Sequence, residues 1–448
     1  MRVFLCCVLL AASPAFLWSA EVSTHQANRL AAVIRACIDS SNESGLEATI
    51  AKLVELDDPK VVKLIPAAAV GIPSARLYAR GCEAIVALKN HDSVSALVKY
   101  LVDLKPRSHE QAIVILEAFS RRSDKVSLEA TVSQLQHQVV SVQLTAIAAS
   151  RARAEKESIP QLIVLLEKHA PLRDLTWLEA RHALSSLTDH DFQSVEDWKK
   201  FWEGAKEEFD PKKVGEGTTK ALTRVVTSRK KQETEAPEEL VQFFGEEIFS
   251  RNVVFVIDVS GSMSAYDESD EYTGDNVATD RERLRRAKEQ LKSALKRLPP
   301  PTRFNIISYG NFVRSWKGSL QTADSTNVKE AIKFVDAFRA AGMTHTDEAV
   351  KRAFEDRDVD TIVLLSDGVP MKATSSDVMA LMEEILKWVR DHNASRKIRI
   401  KTFGFEGQGH LPGERRQPDI PLPPDHNPVA KFMSDLAEQN GGTYRPIK

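Results

Sequence analysis

The sequence predicts a multidomain chain: an all-α front half, then a doubly wound α/β back half with a mostly parallel sheet. Three observations carry this. Between about Glu21 and Lys200 apolar residues recur at helical spacing, with no strand-like alternation. From Arg251 onward short apolar runs alternate with amphipathic segments. Between them lies a stretch rich in charge and poor in apolar residues. The boundaries read as a leader at 1–20, a helical domain at 21–203, a linker at 204–250 and an α/β domain at 251–448.

The leader, "MRVFLCCVLLAASPAFLWSA", has one arginine, an apolar run and small residues before Glu21. That is the pattern of a secretory signal peptide, so the chain is expected to be exported: periplasmic, cell-surface or extracellular. No other stretch approaches the ~18 apolar residues that cross a bilayer, so no membrane span is expected after the signal is removed. The formal charge of −2 over 448 residues gives no global attraction to nucleic acid or to a membrane surface. Cys6 and Cys7 belong to the leader. Cys37 and Cys82 remain, and spacing leaves open whether they pair or stay as buried thiols.

In the front half a helix junction recurs: "DDPKVVKLI", "NHDSVSALV", "RSDKVSLEA" and "EKESIPQLI". Val61, Val94, Val126 and Ile159 fall about 33 residues apart. A period in the thirties with two helices per unit predicts a solenoid, in which stacked pairs share one core. The pattern resembles HEAT-type repeats, which implies a broad surface for a protein partner. Trp198, Phe201 and Trp202 sit at helical spacing and predict a helix capping the last repeat. "GEGTTK" in the linker has no glycine before Lys220, so it is not a phosphate loop.

In the back half "NVVFVID", "RFNIISYG", "FVRSW", "TIVLLSDG", "IRIKTFGF" and "TYRPI" read as strands. "RERLRRAKEQLKSALKRL" is a helix with Leu284, Ala287, Leu291, Ala294 and Leu298 on one side. Its basic residues read as a solvated face. "NVKEAIKFVDAFRA", "DVMALMEEILKWVRD" and "PVAKFMSDLAEQNGG" are further helices. Right-handed crossovers place the strand C-termini along one edge, where ligands of such sheets bind.

Three loops gather at that edge. The first is Asp258-x-Ser260-x-Ser262, with Gly261 expected to let it fold tightly. "GMTHTDEA" brings Thr344 and "LLSDG" brings Asp367. Two carboxylates and three hydroxyls suit a hard divalent cation, Mg²⁺ first and Mn²⁺ or Ca²⁺ as alternatives; soft ligands are absent. These residues resemble the metal-ion-dependent adhesion site of the von Willebrand factor A domain family, whose domain has a Rossmann-like fold. The resemblance covers Arg251 to the C-terminus. It implies that Asp258, Ser260, Ser262, Thr344 and Asp367 hold the ion, some through water. Thr344 is chosen over Thr346 as the first threonine of G-x-T-x-T. Two insertions, Ala265 to Asp280 and Gly407 to Pro428, are expected as surface loops.

Enzymatic readings fare worse. A phosphoaspartyl hydrolase needs a second aspartate two residues after the first, where this chain has Ser260. Neither Ser260 nor Ser262 lies in G-x-S-x-G, and His345 is a lone rim histidine. A role as a subunit of an ATPase-driven assembly conflicts with the leader. The expected function is an exported, non-enzymatic adhesion protein whose divalent ion captures an acidic side chain of a protein partner.

Overall fold

The structure, a computed structural model, describes residues 22–214, 240–266, 282–372, 377–405 and 428–447. The leader, the two insertions but for their ends, and most of the linker lie outside the described residues.

The front half is helical throughout: α1 (Thr24–Asp39), α2 (Glu43–Leu56), α3 (Leu64–Ala69), α4 (Ala75–Ala87), α5 (His91–Asp103), α6 (His109–Phe119), α7 (Lys125–Ser133), α8 (Val140–Arg153), α9 (Ser158–His169), α10 (Leu175–Thr188) and α11 (Val195–Ala205). Starts are set by side-chain caps. The Ser74 hydroxyl accepts from Leu77 N at 3.1 Å, and the Asp174 carboxylate accepts from Trp177 N at 3.0 Å. Helices α4, α6, α8 and α10 pack side by side in one row, and α5, α7, α9 and α11 form a second row behind it. One continuous core runs between the rows.

Several hydrogen bonds join residues 32 to 37 apart in the chain. The Asp57 carboxylate accepts from the backbone of Lys89 and Asn90, at 2.7 and 2.8 Å. Arg122 donates to the carbonyls of Ile85, Val86 and Leu88, at 3.0, 3.1 and 3.0 Å, and so satisfies the open C-terminus of α4. Arg153 does the same for Phe119 at 2.8 Å. Val61, Val94 and Ile159 are buried, and Val126 is half-buried. Trp198 is fully buried on α11, and Phe201 is nearly so; Phe192 meets Trp198 edge-on at 4.8 Å. Cys37 and Cys82 are both buried, and no disulfide joins them. Burial pushes the Cys82 thiol up to about 12.

Sequence places residues 240–250 in the linker, but they belong to the α/β core. They form a hairpin of β1 (Gln242–Phe243) and β2 (Glu246–Glu247). Phe243 is fully buried and meets Phe403 edge-on at 4.9 Å. Its apolar residues are few and interrupted by charge, which hid the hairpin in the sequence.

The main sheet holds β3 (Asn252–Asp258), β4 (Arg303–Tyr309), β5 (Val313–Ser315), β6 (Gln321–Thr322), β7 (Thr361–Ser366), β8 (Arg399–Phe405) and β9 (Tyr444–Ile447). The order is β5-β4-β3-β7-β8-β9, with β6 also on β4. All pairings are parallel except those of β5 and β6 with β4. Side chains alternate across the sheet. Val253, Phe255 and Ile257 face α12 (Arg283–Arg297) and α13 (Ser325–Asp336). Val254 and Val256 face α14 (Thr346–Ala353), α15 (Val378–Asn393) and α16 (Pro428–Glu438). Each such fully buried side chain contributes about 1.5–3 kcal/mol, which explains why β3 is apolar on both faces.

The first helical row meets the α/β domain at the end where β3 and β8 begin. Arg399 pairs with Glu179 at 2.6 Å, and Lys397 with Glu117 at 2.7 Å. Trp177 stacks on Phe249 at 6.1 Å, and Asp391 accepts from Ala75 N at 3.2 Å. The opposite end of the sheet is left clear of these contacts.

Candidate metal site at the sheet edge

Strand β3 lies between β4 and β7, so the chain reverses its direction of travel across the sheet at β3. That is the switch point where loops part and a cleft opens. Asp258 ends β3, and Asp367 follows directly on β7; the two strands run in register, with Ile257 opposite Leu365.

The five side chains singled out by sequence come together here. The Ser260 and Ser262 hydroxyls lie 3.0 Å apart, and Ser262 Oγ donates to Asp367 Oδ1 at 2.7 Å. Asp258 Oδ1 accepts from Ser260 N at 2.8 Å. A Cβ placed on Gly368 would lie 3.5 Å from Ser262 Oγ and 3.6 Å from Thr344 Oγ1, so both hydroxyls face one small space. Asp258, Ser260 and Thr344 are buried, whereas Ser262 is exposed.

Sequence reasoning missed two partners. Ser366 Oγ donates to Asp258 Oδ2 at 2.7 Å. Arg283, the first residue of α12, donates to Asp367 Oδ2 at 3.1 Å. Its helix reads as basic with a solvated face, yet Arg283 is only 3% exposed. Its place just before Leu284 on the apolar stripe was the available signal. Gly261 needs no special backbone: a Cβ there would make ordinary contacts with Gly342. The glycine that is required is Gly342, at φ +82°, where a Cβ would come within 2.1 Å of Asn311. Gly342 O accepts from Gly261 N at 3.0 Å and so ties the two loops together.

Thr346 is the alternative threonine. Its hydroxyl is buried and has no hydrogen-bond partner among the described residues. It faces the Tyr309 phenol, which donates instead to Leu365 O at 3.0 Å. His345 Nε2 is likewise buried without a partner among the described residues.

The donor set fits a hard divalent cation. All the candidate donor atoms are oxygen, and the two carboxyls are close enough to oppose each other's ionisation. Burial, and then Asp367, push the Asp258 carboxyl up to about 7. A cation there would relieve both effects. No cluster of three or more His, Cys, Asp or Glu side chains able to hold a metal is found among the described residues. The site therefore depends on its hydroxyls.

The rim is apolar. Phe312, Val369 and Met371 are exposed, at 69%, 37% and 42%. Their loops are joined at the site: Met343 N donates to Asn311 Oδ1 at 2.9 Å, and Met371 N to Thr344 O at 2.8 Å.

Comparison with known proteins finds similarity in the C-terminal part of the chain. Residues 251–272 and 275–412 match the family model of the von Willebrand factor type A domain. Inter alpha-trypsin inhibitor, heavy chain 4, of Mus musculus is 32% identical over 211 residues, covering 44% of this chain and 18% of that protein. Inter-alpha-trypsin inhibitor heavy chain H1 of Bos taurus is 30% identical over 168 residues, covering 35% and 16%. The match therefore spans less than a fifth of either relative. Among solved structures, a von Willebrand factor type A protein from Catenulispora acidiphila aligns with a TM-score of 0.32 at 19% identity, covering 45% of this chain and 40% of that one. The C-terminal part is thus similar in sequence to von Willebrand factor type A domains. No helix among the described residues is long and apolar enough to cross a membrane.

Proposed function

We propose that this protein is an exported, non-enzymatic adhesion protein whose α/β domain binds a partner carboxylate through a divalent cation. Asp258, Ser260, Ser262, Thr344 and Asp367 hold the ion, Mg²⁺ by preference. The ion supplies the positive charge that attracts the partner's acidic side chain; the chain itself orients the donors and shields them. The observation that carries this reading is the convergence of five oxygen-bearing side chains from three distant loops at the sheet's switch point.

Two further features support it. The exposed Phe312, Val369 and Met371 around the site form the kind of apolar rim that marks a protein contact. The similarity to von Willebrand factor type A domains points the same way. The front half is read as a HEAT-like scaffold, and its second row offers surface for another protein.

The test is a pull-down from envelope extracts with the full chain, in Mg²⁺ and then in EDTA. Capture that requires Mg²⁺ and is lost in Asp258→Ala, with circular dichroism unchanged, is the expected result. Equal capture by both proteins in both buffers would refute the bridging step. Hydrolysis of a phosphate ester by the purified protein with Mg²⁺ would overturn the non-enzymatic reading.

A further inference from the structure

We propose that Arg283 is a built-in competitor of the divalent ion: its guanidinium holds Asp367, and the ion binds by displacing it. This rests on the metal-site reading above.

The position of Arg283 is doubly unfavourable. A buried guanidinium is costly unless it is paired. The first turn of a helix, where Arg283 sits on α12, also disfavours positive charge. Among the described residues, Asp367 Oδ2 at 3.1 Å and the face of the Phe405 ring at 5.5 Å offset this. Asp367 Oδ1 meanwhile accepts from Ser262. Both oxygens of Asp367 are therefore engaged within the protein. Each oxygen keeps a second lone pair, but an ion bound at Asp367 repels the guanidinium held on Oδ2, so the ion and Arg283 compete for this carboxylate.

The exchange is one cation for another. Arg283 neutralises one of the two opposed carboxyls and so makes the site tolerable without the ion. The same charge lowers the gain when the ion arrives. The site is thereby tuned to weak intrinsic ion affinity, so that the partner's carboxylate completes and strengthens ion binding. Arg286 lies over the same ring of Phe405 at 5.3 Å, so a second guanidinium shares the surface on which Arg283 rests.

The experiment measures Mg²⁺ binding by calorimetry with MgCl₂ alone, on wild type, Arg283→Gln, Arg283→Lys and Asp258→Asn. Arg283→Gln, which removes the charge and keeps a donor, is expected to bind Mg²⁺ about tenfold or more tightly, on the scale of groups that support a metal's ligands. Arg283→Lys should stay close to wild type. A second measurement needs no variant. Phenylglyoxal labelling of the wild-type chain, read by mass spectrometry, should leave Arg283 protected in EDTA and modify it in Mg²⁺. Weaker Mg²⁺ binding by Arg283→Gln, or protection that Mg²⁺ does not change, would overturn the proposal and make Arg283 a residue that merely positions Asp367. Wild type that takes up no more Mg²⁺ than Asp258→Asn would remove the metal site itself, and this inference with it.

Discussion

Ser262 and Asp367, 105 residues apart in the chain, meet through a 2.7 Å hydrogen bond from hydroxyl to carboxylate. The bond joins the loop after β3 to the loop after β7. Ser262 is exposed, so losing its hydroxyl removes a donor without opening a cavity. Ser262→Ala should lower Mg²⁺ affinity by about tenfold and leave the thermal midpoint in EDTA unchanged. Calorimetry with unchanged affinity would take Ser262 out of the ligand set.

Thr344 and Thr346 make opposite predictions. Thr344→Val removes a hydroxyl that faces Ser262 and should weaken Mg²⁺ binding. Thr346→Val replaces a buried, unpartnered hydroxyl with a methyl group and should leave Mg²⁺ affinity alone while keeping or raising stability. Titrations of the two variants side by side decide the matter; loss with Thr346→Val alone would move the ligand by two residues.

Partner binding and ion binding should separate at the rim. Phe312→Ser and Met371→Ser change exposed side chains outside the proposed ligand set. Each should weaken Mg²⁺-dependent capture of the partner, together by about tenfold or more, as expected of apolar anchors in an interface. Mg²⁺ affinity should stay at the wild-type value. Unchanged capture would place the contact elsewhere.

Asp360 anchors the opposite end of β7. Its carboxylate accepts from Ser250 Oγ at 2.5 Å, Thr361 Oγ1 at 2.7 Å, Asn252 N at 2.9 Å and Arg251 N at 3.1 Å. Burial nevertheless pushes the carboxyl from 3.8 up to about 6. The native state therefore binds this proton more tightly than the unfolded chain. The stability it contributes is full below about 3.8, falls as pH rises, and is gone above about 6. Urea denaturation should show Asp360→Asn gaining on wild type by about 3 kcal/mol between about pH 4 and pH 7. A difference independent of pH would contradict the shift.

Arg122 tests the helical stack. Its guanidinium serves three carbonyls at the end of α4 and pairs with Asp124 at 2.7 Å. Arg122→Ala strands those acceptors and should cost about 2–4 kcal/mol in urea denaturation. Mg²⁺ affinity should not move, because Arg122 lies in the front half. A cost under about 0.5 kcal/mol, typical of an exposed surface change, would show that water serves those carbonyls equally well.

The sequence by itself determined the two classes of architecture and marked the oxygen donors that end the strands. Apolar periodicity is a local property, so helices in the front half and apolar strands such as "NVVFVID" and "TIVLLSD" were legible, as were the oxygen donors that follow them. Asp258-x-Ser260-x-Ser262 announced its chemistry because three donors share one short loop. Only the tertiary structure decided what is not local. It brought Thr344 and Asp367 to that loop, made Gly342 rather than Gly261 the essential glycine, and took the 240–250 hairpin into the core. It also buried Arg283 against Asp367. The physical reason is common to all four. Each outcome is set by which distant segments pack together, and an arginine on a basic helix carries the same local pattern whether it faces water or a buried carboxylate.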